Sequence, residues 1–142
     1  MVKNIIYGII LHIKYLFSII NVCPVIGGSF MSEEPLYDVE EFWKFKMRVG
    51  LVKKAERIPK SKKLIKLTVD FGDHERTIVA GIGDQYNAED LEGKKMIFVV
   101  NLKPKKLMGV ESQGMLVVAE DEKTGKVYLI TVDDAPVGAK VW

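Results

Sequence analysis

The sequence predicts an all-β domain, a five-stranded barrel with a short helix between its third and fourth strands and further strand structure towards the C-terminus. Three observations predict it. From residue 45 onward, apolar and polar residues alternate with a period of two, which places one set on each face of a strand. Clusters of glycine, proline and aspartate separate those runs at short intervals. One stretch, residues 83–92, carries helix chemistry instead. With 142 residues, 48% of them apolar and 28% charged, the chain has the size and balance of a single globular domain.

Residues 1–30 stand apart from this pattern. Residues 5–20 form an apolar run broken only by Gly8, His12, Lys14 and Ser18, with Lys3 ahead of it and Pro24, Gly27 and Gly28 behind. A secretory signal is a poor match, because no small-x-small cleavage site follows and Lys14 sits mid-run. The run is also shorter than the roughly 20 residues that a membrane-spanning helix needs. Val22 ahead of Cys23 is too large for a lipoprotein signal. Met31-Ser32-Glu33-Glu34 has the character of an ordinary cytosolic N-terminus. The expectation is therefore an apolar extension upstream of the true start, with the functional domain in residues 31–142 and a cytoplasmic location; a membrane anchor is the weaker reading.

In the domain itself, Phe45, Met47, Val49 and Leu51 alternate with Lys46, Arg48 and Gly50, a first strand whose apolar set is expected on the core side. Ile65, Leu67 and Val69 alternate with Lys66, Thr68 and Asp70; Phe71-Gly72-Asp73 supplies a turn, and residues 64–80 read as a hairpin. Residues 83–92 open acid-rich and end at Gly93, as a short helix does. Residues 96–102 and 115–119 are apolar runs of strand length, separated by a loop holding Pro104, Gly109 and Gly114. Residues 127–132 add a strand after the Lys123-Thr124-Gly125 turn. Three strands, a helix and two strands is the order of the oligonucleotide/oligosaccharide-binding barrel (OB-fold), where ligands meet strands two and three and the loops joining strands one to two and four to five. Those loops are predicted at residues 52–63 and 103–114.

The charge pattern points to the same loops. The net charge is only +2, from 21 Lys and Arg against 19 Asp and Glu. Yet between residues 44 and 66 Glu56 is the one acid among Lys44, Lys46, Arg48, Lys53, Lys54, Arg57, Lys60, Lys62, Lys63 and Lys66. A second acid-free cluster holds Lys94, Lys95, Lys103, Lys105 and Lys106. Clusters of this kind are usually a solvated face unless they converge in space, and their coincidence with two binding loops of the predicted barrel is what favours nucleic acid. Phe45 and Phe98 fall on apolar phases and are expected in the core, leaving few platforms for stacking bases. Lysine-rich loops without such platforms favour phosphate contacts and recognition of a folded RNA by shape, with roughly three to six phosphates engaged.

Other functions are excluded by the same residues. A lone Cys23 allows no disulfide framework, and with only His12 and His74 no metal or cofactor site is expected. Residues 109–114 resemble a nucleophile elbow only superficially, because Val110 stands where that motif requires glycine. Lys60-Ser61-Lys62 echoes a fragment of a synthetase ATP loop without its companion motif or fold. The chain is not expected to be an enzyme.

Several motifs together resemble a known family. Phe45-Lys46-Met47-Arg48-Val49-Gly50, Val69-Asp70-Phe71-Gly72, Arg76-Thr77-Ile78-Val79-Ala80-Gly81-Ile82, the run from Asn101-Leu102-Lys103-Pro104-Lys105-Lys106 to Val110, and Ser112-Gln113-Gly114-Met115-Leu116 are similar to the structure-specific tRNA-binding domain. That domain occurs at the C-terminus of methionyl-tRNA synthetases, in the endothelial monocyte-activating polypeptide family and as small stand-alone proteins. Phe42 and Trp43 resemble the stand-alone archaeal form labelled methionyl-tRNA synthetase beta subunit. The resemblance implies a non-catalytic module that grips the outer corner of tRNA without reading sequence, a homodimer built through strands after the barrel, and a synthetase catalytic subunit as a further partner; a membrane is not an expected partner. It leaves open a second class, export-related chaperones of the same fold that bind unfolded polypeptide. Where the family usually has His-Pro-x-Ala-Asp-Lys-Leu, this chain has Ile58-Pro59-Lys60-Ser61-Lys62-Lys63-Leu64, which exchanges a histidine and an aspartate for cations.

The candidate tRNA-binding residues are Lys60, Lys62 and Lys63 in the first loop and Lys103, Lys105 and Lys106 around Pro104 in the second. Lys46 and Arg48 join them from the polar face of the first strand, where exposed cations are often only solubilising. Asn101 and Ser112 either donate to phosphate or ribose or satisfy loop backbone. Arg76 either contacts the ligand or pairs with Asp70 or Glu75 across the hairpin. Met47 and Met115 are expected as core fillers.

Overall fold

A computed structural model describes residues 34–142, so the expectation for residues 1–30 lies outside the described residues. The elements are α1 (Val39–Phe42), β1 (Met47–Arg57), β2 (Ile65–Asp70), β3 (Glu75–Ala80), α2 (Ala88–Leu91), β4 (Lys95–Val99), β5 (Lys105–Leu107), β6 (Val110–Ser112), β7 (Met115–Leu116), β8 (Val118–Glu120), β9 (Val127–Leu129) and β10 (Lys140–Val141). The main sheet runs in the order β3-β2-β1-β4-β7, with β10 added to β1. All its pairings are antiparallel. β5–β6 and β8–β9 are separate hairpins.

Strands β1, β2, β3, β4 and β7 are the five of the predicted barrel, with α2 between β3 and β4 as expected. The helix is a single turn rather than the whole of residues 83–92. The Gln85 and Tyr86 N–H groups donate to Ile82 O in a turn before it, and the extended Glu92 ends it. The predicted strand over residues 127–132 is shorter as well: β9 pairs with β8, and Thr131 then bridges to Met96.

The barrel closes on an apolar cluster that includes Val52, Ile65, Leu67, Val69, Phe71, Ile78, Leu91, Met96, Phe98 and Leu116. β2 supplies it by strict alternation: Ile65, Leu67 and Val69 are buried while Lys66, Thr68 and Asp70 between them are half-buried. Phe71 and Phe98 meet edge to face, with centroids 5.8 Å apart and an interplanar angle of 87°.

The first strand keeps only part of the expected phase: Val49 is buried as predicted, outside the main apolar cluster, but the rest of its set is not. Phe45 is 53% exposed, and Met47 is only half-buried, so neither is the core residue its alternation predicts. The face that enters the barrel carries Gly50 and Val52. A Cβ at Gly50 would lie 2.4 Å from Val69 Cγ1 and 2.9 Å from the rings of Phe71 and Phe98. The register with β2 shifts between Val52 and Lys54, and beyond this bulge Ala55 takes over the inward position. Period-two reading cannot see the difference, because a glycine facing the core leaves no apolar mark and its space is filled by aromatic rings from other strands. Met115 packs on the core edge as expected.

Replacing Gly50 with Ala should overpack this contact and cost about 1–3 kcal/mol, read as a lower urea midpoint at unchanged m-value.

Candidate nucleic-acid interface

β1 continues to Arg57, so the first connection is residues 58–64, shorter than predicted. The Ser61 N–H donates to Ile58 O at 3.0 Å, and Ser61 Oγ accepts from the N–H groups of Lys63 and Leu64 at 3.2 and 3.1 Å. This hydroxyl-centred turn buries Ile58 and Leu64 and leaves Lys60, Lys62 and Lys63 exposed. The Gly83 N–H donates to Lys63 O at 2.7 Å, and a Cβ there would approach that carbonyl to 2.8 Å, so the contact requires glycine. The Arg57 guanidinium donates to Lys62 O and Tyr86 O at 3.5 and 3.3 Å, holding the loop against the β3–α2 segment.

Two neighbouring cations of β1 are held in ion pairs. Lys53 pairs with Glu75 at 3.0 Å and Lys54 with Glu56 at 2.7 Å. The hydrogen bond and charge of each carboxylate raise the pKa of its lysine, and Lys54 in turn lowers that of Glu56. Lys63 lies 3.9 Å from Asp84. Among the described residues, Lys60, Lys62, Lys103, Lys105 and Lys106 form no ion pair.

The second connection is a hairpin rather than an open loop. β5 and β6 pair from Lys105↔Ser112 to Leu107↔Val110. Met108 and Gly109 make the two-residue turn, both with positive φ, 49° and 83°. Leu107 and Val110, next to that turn, pack on Ile58, Leu64 and Val79 in a second apolar cluster. Through that cluster the hairpin tip rests on the first connection, and Lys105 and Lys106 are exposed on the hairpin that this packing holds. Lys103 is exposed nearer the foot of the same hairpin.

The remaining predicted residues lie elsewhere or are already engaged. Lys46 lies just ahead of β1 and Arg48 is its second residue, roughly 30 Å of strand away from the first connection at about 3.3 Å per residue. Asn101 is a clasp: its Oδ1 accepts from the Lys46 N–H and its Nδ2 donates to Lys44 O, each at 2.7 Å. Ser112 is 3% exposed; its Oγ accepts from the Val79 N–H at 3.0 Å and donates to Gly114 O at 3.1 Å. Arg76 pairs with neither Asp70 nor Glu75. Its guanidinium donates to Val100 O and to Gln113 O, and its Nε to His74 Nε2 at 3.0 Å. Of the two alternatives open for Asn101 and Ser112, both side chains take the backbone one.

A second surface was legible only as scattered residues. Phe42, Trp43 and Phe45 meet Met47, Val141 and Trp142 around a groove of about 680 Å³, with Lys46, Arg48 and Lys140 at its sides. Phe42, Trp43, Phe45 and Trp142 are 50, 46, 53 and 81% exposed, which makes a contiguous apolar patch. It exists because β10 returns to pair with β1, Met47↔Val141 and Arg48↔Lys140, a contact of residues nearly a hundred positions apart that no local pattern announces. Among the described residues, no helix is long and apolar enough to cross a membrane and no group of three or more His, Cys, Asp and Glu side chains is placed to hold a metal ion.

A five-stranded barrel with two lysine-bearing connections packed together is an oligonucleotide-binding module of the OB type. More specifically, residues 47–140 match the family model described as "Putative tRNA binding domain", and the chain belongs to that tRNA-binding family. It is 53% identical to the methionine–tRNA ligase of Methanocaldococcus jannaschii over 116 residues, 81% of this chain and 17% of that one. With the ligase of Archaeoglobus fulgidus it shares 50% over 104 residues, 73% of this chain and 16% of the relative. The chain thus spans about one sixth of the length of the curated relatives it matches. Among solved structures it is similar to a methionyl-tRNA-synthetase-related protein from Pyrococcus horikoshii, at 71% identity and TM-score 0.75, over 77% of this chain and all of that one. It is also similar to the chaperone CsaA of Bacillus anthracis, at 31% identity and TM-score 0.67, over 76% of this chain and all of that one. The shared domain is a non-catalytic binding module.

Ser112→Ala should strand the buried Val79 N–H and lower stability by about 1–3 kcal/mol in urea unfolding, the loss expected of a structural hydroxyl.

Proposed function

We propose that this chain is a dimeric, cytoplasmic tRNA-binding protein that recognises the shape of tRNA through its phosphates and serves as an auxiliary subunit of methionyl-tRNA synthetase. The observation that supports the reading is the packing of Leu107 and Val110 with Ile58 and Leu64, which joins the hairpin of Lys105 and Lys106 to the connection that carries Lys60, Lys62 and Lys63. These exposed ammonium groups form one cationic surface, with Lys103 extending it. Lysine contacts on phosphate carry no base information, so affinity follows the spacing of the RNA backbone. Ser112 and Asn101 are not part of this surface, and Lys46 and Arg48 border the apolar groove instead. The relationship to methionine–tRNA ligases supports the synthetase as partner, and tethering the module to the enzyme would raise the local tRNA concentration. The dimer is supported by the patch of Phe42, Trp43, Phe45 and Trp142, too large and aromatic to be left to solvent.

A second reading rests on the same patch. The groove suits an apolar peptide segment, and the likeness to a chaperone gives that reading weight. Salt separates the two: lysine–phosphate binding weakens steeply with ionic strength, and apolar peptide binding does not.

Replacing Lys103, Lys105 and Lys106 together with Ala should weaken tRNA binding at least tenfold at 0.1 M salt and reduce the slope of log K against log salt by about two, with the thermal midpoint held. A gel shift with tRNA, duplex DNA and single-stranded RNA across salt concentrations checks it; unchanged tRNA affinity removes the hairpin from the site. In light scattering the chain should show twice its monomer mass, and Phe45→Glu with Trp142→Glu should return it to the monomer mass; a monomeric parent chain rejects the dimer.

A further inference from the structure

We infer that Arg76 is a positioning residue for RNA binding: its guanidinium clamps the two feet of the lysine-bearing hairpin, and it acts on RNA through that hairpin rather than by touching phosphate. The inference rests on the lysine surface proposed above and deepens it.

Arg76 belongs to the inward phase of β3. Its register partner is the buried Val69, and the residues that follow in the same phase, Ile78 and Ala80, are in the core. Its side chain therefore points to the open end of the barrel and not to the outer face where ligands meet strands two and three. There it donates to Val100 O and Gln113 O. Val100 is the last residue before the hairpin segment and Gln113 the first after it, so one planar group spans the entrance and the exit of residues 101–112. Both bonds come from Nη1, while Nε is held by His74, so the rigid guanidinium plane is anchored through one nitrogen and grips both carbonyls with another; a lysine ammonium has no second nitrogen by which to be anchored.

The clamp is itself held. His74 Nε2 accepts from Arg76 Nε at 3.0 Å, His74 Nδ1 lies 2.5 Å from Asp73 Oδ1, and the imidazole stacks on Phe71 with centroids 5.6 Å apart. With Nδ1 donating to Asp73, the histidine presents a lone pair to Arg76, and the tautomer follows from its two partners. His74 hydrogen bonding also lowers the pKa of Asp73. The chain Asp73, His74, Arg76 thus runs from the β2–β3 turn to the root of the hairpin. The other side-chain ties of the hairpin each hold one foot. Asn101 holds only the entering foot, against Lys44 and Lys46, and Ser112 with Gln113 holds only the leaving strand, against Thr77 and Val79. The pairs Val99↔Met115 and Lys105↔Ser112 set the strand spacing on either side of the feet, and Arg76 is the side chain that bridges the unpaired stretch between them, where the hairpin turns away from the barrel.

The test places Arg76→Lys and Arg76→Gln in the parent chain and in the chain with Lys103, Lys105 and Lys106 replaced by Ala, with tRNA affinity read at one salt concentration. In the parent chain both should weaken binding, by about tenfold for Arg76→Gln, and Arg76→Lys should not rescue although it keeps the charge. In the triple-alanine background neither should have a further effect. Amide exchange of residues 105–112 should quicken in Arg76→Lys while residues 65–69 of the core stay protected, a readout independent of RNA and of any global loss of fold. Full affinity in Arg76→Lys, an equal loss from Arg76→Gln in both backgrounds, or unaltered exchange of the hairpin would each overturn the inference in favour of a direct phosphate contact or no role. Those outcomes leave the lysine surface standing; normal tRNA binding by the triple-alanine chain would remove both.

Discussion

The structure depends on how the free edge of β3 is closed. A barrel needs a partner along that edge, because its N–H and C=O groups face a buried seam and carry the cost of unpaired polar groups. β7 is too short to supply a ladder, and its two residues pair with β4. Closure is instead made by the Ser112-Gln113-Gly114 segment. Ser112 Oγ accepts from the Val79 N–H, Gln113 Oε1 accepts from the Thr77 N–H at 3.1 Å, and the Gln113 N–H donates to Thr77 O at 2.8 Å. Gly114 permits the close approach, since a Cβ there would meet Val99 O at 2.8 Å and Ile78 Cδ1 at 3.0 Å. Two side chains imitate the strand that the seam lacks.

Closing the seam with side chains frees the backbone ahead of it to do something else. The residues between β4 and the seam are not consumed in the barrel ladder, and they fold into the β5–β6 hairpin along the outside of β3. Its apolar underside, Leu107 and Val110, covers Val79 and the first connection. Its lysines are left outward. The barrel and the cationic hairpin are thus one design: the hydrogen bonds that shut the cylinder also hold the root of the segment that carries the cations. The proposed recognition of RNA by shape requires such anchoring, since a cation that wanders by several ångströms can follow any phosphate chain.

The opposite end of β1 serves another purpose. There the sheet gains β10, and the aromatic residues of α1 and the last residue of the chain gather over it. Lys46 and Arg48, grouped with the loop cations by sequence alone, sit beside this apolar groove. One long strand therefore separates two surfaces of different chemistry, cationic at its end and aromatic at its start.

The amino-acid sequence by itself determined the barrel order, that two lysine-rich connections join its strands, and the exposed lysines, because those follow from local quantities: alternation, turn residues and runs of like charge. It did not determine the extent of the first connection or the hairpin in the second. The Asn-Leu-Lys-Pro and Ser-Gln-Gly-Met stretches were legible as a family mark but not as the clasp and seam they are. Only the tertiary structure decided that Gly50 rather than Phe45 faces the core, that Ser112, Asn101 and Arg76 spend their hydrogen bonds on backbone, and that Phe42 and Trp142 share a groove. Each of these turns on which atoms meet across a barrel, where residues tens of positions apart supply the partner, and a one-dimensional pattern carries no record of that meeting.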